Sequence, residues 1–208
     1  MTYTFLQSDS PSIKICGLTT EEHVDVAVAS GVDAIGFVFA ADSPRLLNRS
    51  DADRLLLQLP SEVLPVAVVQ DYPNLQDFSD WPGWLQLAGK ETAEDAALSP
   101  RPLIKAFKWE RQTLLKWDKC DSIEAILVDG SAGGFGETFS TDELVEHMPS
   151  ISTPIIVAGG LTPENVGDVI RKVQPAAVDV SSGVETSRGA KDSALICQFV
   201  DAVMQARS

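Results

Sequence analysis

The stretch P-I-I-V-A-G-G-L, from Pro154 to Leu161, is followed at once by T-P-E-N, from Thr162 to Asn165. It opens as a short β-branched apolar run, too short for a buried helix. It breaks at two glycines and resumes with a helix-start signal that places Pro163 at the first helical position. The next stretch, A-A-V-D-V-S-S-G-V-E from Ala176 to Glu185, repeats the plan, and an amphipathic segment over residues 191–205 follows it. Apolar strands without polar alternation, each followed by a helix, are what a parallel sheet buried on both faces requires.

The same unit recurs back to the N-terminus. Strands are predicted over residues 12–16, 33–39, 63–69, 84–88, 103–109, 125–129, 154–159 and 177–181. Helices are predicted over residues 20–30, 50–59, 110–117, 141–148, 162–173 and 191–205, with one or two turns at 74–79 and 91–97. Strands alternating with helices imply crossover connections in a parallel sheet. Eight such units in an open, doubly wound sheet would leave long edges to protect, and closure removes them. The expected fold is therefore an α/β, (β/α)8 TIM barrel of minimal size, one domain over residues 1–208.

Bulk properties narrow the function. The formal net charge of −14 leaves no basic footprint for nucleic acid. An anionic ligand would need a locally built site of backbone amides and a few cations. No apolar run approaches the roughly 20 residues that span a bilayer, and the first ten residues lack a secretory pattern. A cytoplasmic protein without membrane attachment is expected. Cys16, Cys120 and Cys197 are too few and too scattered for a disulfide framework. His23 and His147 have no metal-ligand spacing, and no metal or cofactor is expected. The two histidines read as ordinary helix residues, and the four tryptophans as packing.

A TIM barrel places its chemistry at the C-terminal strand ends. In S-I-K-I-C-G, alternation puts Lys14 and Cys16 on one face. With Ile13 and Ile15 facing the helices, Cys16 reaches the rim, either as a reactive thiol that a nearby cation would favour as thiolate or as a small buried hydrophobe. Arg45 follows the second strand; its planar fork suits a carboxylate or phosphate, or it is a solvated surface residue. Asp129 ends an apolar strand, where an aspartate is costly unless it is used or paired; capping the next loop is the alternative. Gly133 and Gly134 follow it and permit close backbone approach to a ligand. Gly159 and Gly160, with Ser181, Ser182 and Gly183, end strands seven and eight. That is the recurrent phosphate position of this fold, and Asp179 lies just below. Residues 180–185 could begin a short extra helix aimed at the phosphate.

With these residues in view, the chain resembles the phosphoribosylanthranilate isomerase family. The likeness rests on K-I-C-G-L-T at 14–19, G-F-V-F at 36–39 with S-P-R at 43–45, and L-V-D at 127–129 with G-G-F-G-E-T-F at 133–139. It continues through A-G-G-L-T-P-E-N-V at 158–166, V-D-V-S-S-G-V-E at 178–185 and G-A-K-D at 189–192. The resemblance implies a cofactor-free Amadori rearrangement of N-(5'-phosphoribosyl)anthranilate, the third step of tryptophan synthesis from chorismate. It implies Cys16 as general base, Asp129 as general acid, and Arg45 as the holder of the anthranilate carboxylate. Lys14, Gly133, Gly134, Gly159, Gly160, Asp179, Ser181, Ser182 and Gly183 complete the substrate-binding set. Lys14 is also the cation expected to bias Cys16 toward thiolate, and Asp129 must carry its proton when substrate is bound.

The chain departs from the family at Ala88, where a histidine is usual. It departs also at 68–70, at Phe135, where a small hydroxyl residue is usual, at Glu137, where a cation is usual, and at Ser140 and Thr141. A barrel acting on another sugar phosphate, or a non-catalytic phosphate binder, are the alternative readings. The expected partner is a small sugar phosphate, with the chain a monomer or homodimer.

Overall fold

The computed structural model describes residues 3, 5–7, 10–130 and 141–207. Eight parallel strands close into a barrel in sequence order: β1 (Ser12–Cys16), β2 (Ala34–Val38), β3 (Leu64–Val69), β4 (Trp84–Leu87), β5 (Leu103–Lys108), β6 (Ala125–Asp129), β7 (Ile155–Ala158) and β8 (Ala177–Val180). Closure runs through the β8–β1 ladder, where Ser12 pairs with Ala177 and Lys14 with Asp179. The TIM architecture expected from the strand pattern is thus present, and the barrel sheet has no open edge.

Closure explains why the strands read as unbroken apolar runs. Their inward residues, among them Val66, Val68, Ile104, Ala106 and Leu127, fill the lumen. Their outward residues, among them Ile13, Ile15, Phe37 and Val128, pack against the helices. Both faces lose water, so both must be apolar. The lower end of the lumen is closed by the N-terminal segment, to which the sequence reading gave no role. Phe5 is 2% exposed and meets the Trp84 ring edge-on at 5.9 Å. Burial of such a side chain contributes roughly 1.5–3 kcal/mol.

The helices are α1 (Glu21–Ser30), α2 (Arg49–Leu56), α3 (Ala93–Ala97), α4 (Arg111–Trp117), α5 (Thr141–His147), α6 (Val166–Val173) and α7 (Ser193–Ala206). Thr20, Asn48, Thr92 and Asp192 cap four of them through their side chains. Two expectations need correction. Residues 162–165 form a turn, and α6 starts at Val166. Asn165 accepts from the Thr162 N–H and donates to the Gly160 carbonyl, both at 2.8 Å, so it secures the loop instead of capping the helix. The segment at 74–79 forms one 3-10 turn, Leu75–Phe78, as expected. The second correction is a small hairpin of β9 (Glu185–Ser187) and β10 (Ala190–Lys191) that precedes α7. Lys191, expected to start a helix, is a strand residue; Gly189, with φ 86°, makes the turn.

Candidate active site

Lys14 and Cys16 enter the lumen because β2 makes room for them. Gly36 lies opposite, and a Cβ there would sit 2.9 Å from Cys16 Sγ and 3.2 Å from Lys14 Nζ. Above them opens a cavity of about 400 Å³, at the C-terminal end of the strands. Cys16, Arg45, Asp129, Asp179 and the ends of β7 and β8 line it. Lys14 lies beneath the lining, fully buried, with Nζ 2.7 Å from Asp179 Oδ1. The volume lies within the usual range for a small-molecule site.

Barrel order sets the layout. Going from β1 to β6 by the short way round crosses β8 and β7. Cys16 on β1 and Asp129 on β6 therefore flank the glycine- and serine-rich ends of β7 and β8. Gly159 and Gly160 both take left-handed backbone, with φ 84° and 68°. Gly183 lets the β8 turn press on the β7 loop: a Cβ there would stand 1.8 Å from the Leu161 carbonyl oxygen. The two loop ends interlock into one surface. Ser181 joins it to β1 by donating from Oγ to the Cys16 carbonyl at 3.0 Å. Ser182 opens a single 3-10 turn, Ser182–Val184, where the sequence suggested the start of a short extra helix. Gly133 and Gly134, with Phe135, Glu137 and Ser140, lie outside the described residues.

Arg45 is not a loose rim residue. Its Nε and Nη2 donate to the two oxygens of Glu185 at 2.6 and 2.7 Å. Its stem lies over Gly17, where a Cβ would meet Cδ at 2.3 Å. Glu185 also accepts from Lys191 Nζ at 2.8 Å and from the Gly189 N–H at 3.0 Å. Lys191 in turn donates to the Ser181 carbonyl at 2.8 Å. One carboxylate thus ties the loop after β2 to the turn after β8, and leaves Nη1 of Arg45 outside the pairing. The sequence reading quoted Glu185 and Lys191 without giving either a role. Nothing local signals a contact between positions 45 and 185.

Electrostatics follow from this crowding. Burial pushes the Glu185 carboxyl up, but Arg45, Lys191 and the Gly189 amide outweigh it and hold the group down to about 2. Burial draws the Lys191 ammonium down, and Glu185 offsets only part of that. For Lys14, burial also pulls downward, but Asp179 and Cys16 more than compensate and keep it protonated. Burial pushes the Cys16 thiol up; Lys14, then Lys191 and Arg45, pull it back, and the net shift stays upward. Lys14 thus pulls Cys16 in the expected direction, toward thiolate. Its pull has the right sign, but desolvation is larger and Asp179 takes the ammonium as its own partner.

Two further cavity residues escaped the sequence reading. Lys108 ends β5 beside Asp129 in the β5–β6 ladder. Gln86 on β4 is 5% exposed, and its Oε1 is buried without a hydrogen-bond partner among the described residues. Strand alternation carried the signal for both: Ile104 and Ala106 face the lumen, so Lys108 follows them. Among the described residues, no cluster of three or more His, Cys, Asp or Glu side chains could hold a metal.

Comparison with known proteins gives this arrangement its relatives. The family model described as N-(5'phosphoribosyl)anthranilate (PRA) isomerase matches residues 13–202. The N-(5'-phosphoribosyl)anthranilate isomerase of Chromohalobacter salexigens is 37% identical over 199 residues, covering 92% of this chain and 93% of that one. The crystal structure of phosphoribosyl anthranilate isomerase from Thermus thermophilus superposes with a TM-score of 0.84 at 31% identity, covering 94% of this chain and 100% of that one. A structure of the same enzyme in complex with reduced 1-(o-carboxyphenylamino)-1-deoxyribulose 5-phosphate superposes at 0.81 with 31% identity, covering 94% and 99%. The chain belongs to the N-(5'-phosphoribosyl)anthranilate isomerase family.

Proposed function

We propose that this barrel mouth isomerises N-(5'-phosphoribosyl)anthranilate to 1-(o-carboxyphenylamino)-1-deoxyribulose 5-phosphate, the third step of tryptophan synthesis from chorismate. The observation that carries the reading is the placement of Cys16 and Asp129 on either side of the interlocked β7 and β8 ends. The phosphate sits against Gly159, Gly160, Ser181, Ser182 and Gly183, where backbone amides can reach it without the charge of a strongly acidic chain intervening. The sugar then lies between a proton donor and a proton acceptor.

Asp129 gives its proton to the furanose ring oxygen. The C1–O bond breaks with its electron pair going to that oxygen, and the nitrogen lone pair forms the C1=N bond of an iminium. Cys16 as thiolate removes the proton from C2. That electron pair forms C1=C2, and the nitrogen regains its lone pair. The enolamine then tautomerises: the C2 hydroxyl loses its proton and C1 gains one. No electron leaves the substrate, so no redox cofactor is called for. General acid and base groups held in this pose contribute roughly 10²–10⁴-fold each. Arg45, clamped by Glu185, presents its remaining edge to the anthranilate carboxylate, and bidentate holding of that guanidinium fixes its plane. Lys14 acts below the site by holding Asp179 and drawing the Cys16 thiol toward thiolate.

The chain works as one barrel domain in the cytoplasm, as a monomer or homodimer. The test is the loss of phosphoribosylanthranilate fluorescence on mixing with purified protein. Turnover, rising with pH as the Cys16 thiol ionises, is expected. No turnover at any pH, with retained binding of another sugar phosphate, would overturn the reading.

A further inference from the structure

Gln86 stands out among the lumen residues. It lies at the middle of β4, paired in the ladders with Val68 on β3 and Ile104 on β5, two apolar residues. The residue is 5% exposed and lines the cavity, yet its Oε1 is buried with no hydrogen-bond partner among the described residues. A buried acceptor without a donor is destabilising, and a leucine or methionine would fill the same space without that cost. Packing therefore does not account for a carboxamide here. What accounts for it is a donor that arrives with the ligand.

The layout says which donor. β4 is diametrically opposite β8 in the closed barrel. A phosphate on the β7 and β8 ends directs the rest of the substrate across the mouth, toward the side where Gln86 lies. On that side the ligand presents its anthranilate half, whose one N–H is the donor at the reacting centre. In the ligand's covalent order the ribose hydroxyls come between that half and the phosphate. Resting on the function proposed above, we propose that Gln86 is a further substrate-contacting residue: its carboxamide oxygen accepts the anthranilate N–H and holds it as the nitrogen becomes an iminium. When the C1–O bond breaks, the nitrogen keeps its hydrogen and takes up positive charge. A hydrogen bond from a charged donor is stronger than one from a neutral amine. Gln86 thus grips the iminium more firmly than the ground state, and such differential contact raises kcat more than it lowers KM.

The test compares wild type, Gln86→Met and Gln86→Glu by steady-state turnover of phosphoribosylanthranilate, with thermal unfolding as the fold control. Methionine keeps the volume and removes the acceptor. The expected result is a fall in kcat of roughly 10- to 100-fold for Gln86→Met, KM within about 3-fold, and partial recovery in Gln86→Glu, which keeps an acceptor oxygen at the same reach. Active wild type with Gln86→Met equally active would overturn the assignment while leaving the function intact. So would a rise in KM with kcat unchanged, the signature of a ground-state contact. Wild type without turnover would instead remove the reading on which the assignment rests. Should Gln86→Met not fold, failure of Gln86→Glu to exceed the turnover of a folded Gln86→Leu variant would count against it.

Discussion

Among its described residues the barrel contains two buried lysine–glutamate pairs of nearly the same geometry. Lys191 and Glu185 stand 2.8 Å apart with side chains 1% and 2% exposed, and Lys105 and Glu91 stand 2.7 Å apart with side chains 3% and 5% exposed. Both glutamates also accept backbone N–H groups: Gly189 for the first, Asp71 and Gly89 for the second. What separates them is the side of the strand wall they occupy. Lys105 alternates with the lumen residues Ile104 and Ala106, so it faces the helices, where its ammonium lies 5.4 Å from the Trp117 ring centroid. Glu185 instead faces the mouth and grips Arg45. Identical chemistry serves as a brace behind the wall in one place and holds a cavity-lining arginine in the other.

The comparison can be broken in both directions. Glu91→Ala should have the larger effect on stability, about 3–5 kcal/mol, because it leaves a buried lysine charge unpaired and two amides without their acceptor. Chemical denaturation measures it, and KM should stay within roughly 3-fold because the pair lies outside the lumen. A large KM change with little loss of stability would reverse the assignment of roles. Glu185→Gln should act on the ligand: KM for phosphoribosylanthranilate should rise by about 10-fold, as loss of a charged hydrogen-bond partner lets Arg45 swing. An unchanged KM would make the Glu185 cluster a brace like the other.

The smallest effect is one of pH. Glu185 titrates near 2 in the folded protein, below its ordinary value of 4.5. A depressed carboxyl stabilises the fold fully above its unfolded value and loses that contribution as pH falls through the folded one. Wild type should therefore lose stability between about 4.5 and 2 more steeply than Glu185→Gln. Parallel acid limbs for the two proteins would contradict the pairing.

Much of this was legible in the chain, for reasons tied to period and position. β1 and β6 have the bounds read from the sequence, because Gly17 and Gly130 end apolar runs cleanly. Alternation along S-I-K-I-C placed Cys16 at the rim, and A-I-L-V-D did the same for Asp129. The Arg45–Glu185–Lys191 cluster was not legible, since it joins residues 140 positions apart through a hairpin whose strands are three and two residues long. Nor was the start of α6: T-P-E-N has the composition of a helix start, but Asn165 spends its side chain on Gly160 and Thr162. The burial of Phe5 depends on the open lower end of a barrel, which no local pattern announces.

The central claim is that Cys16 and Asp129 move protons across a phosphate cradle they do not themselves form. Cys16→Ala and Asp129→Asn, assayed for turnover and for binding of reduced 1-(o-carboxyphenylamino)-1-deoxyribulose 5-phosphate, test it directly. The account predicts a fall in kcat of about 10²-fold or more for each variant, with the analogue still bound within a few-fold of wild type. Either variant turning over at the wild-type rate, or losing the analogue in step with its rate, would contradict it.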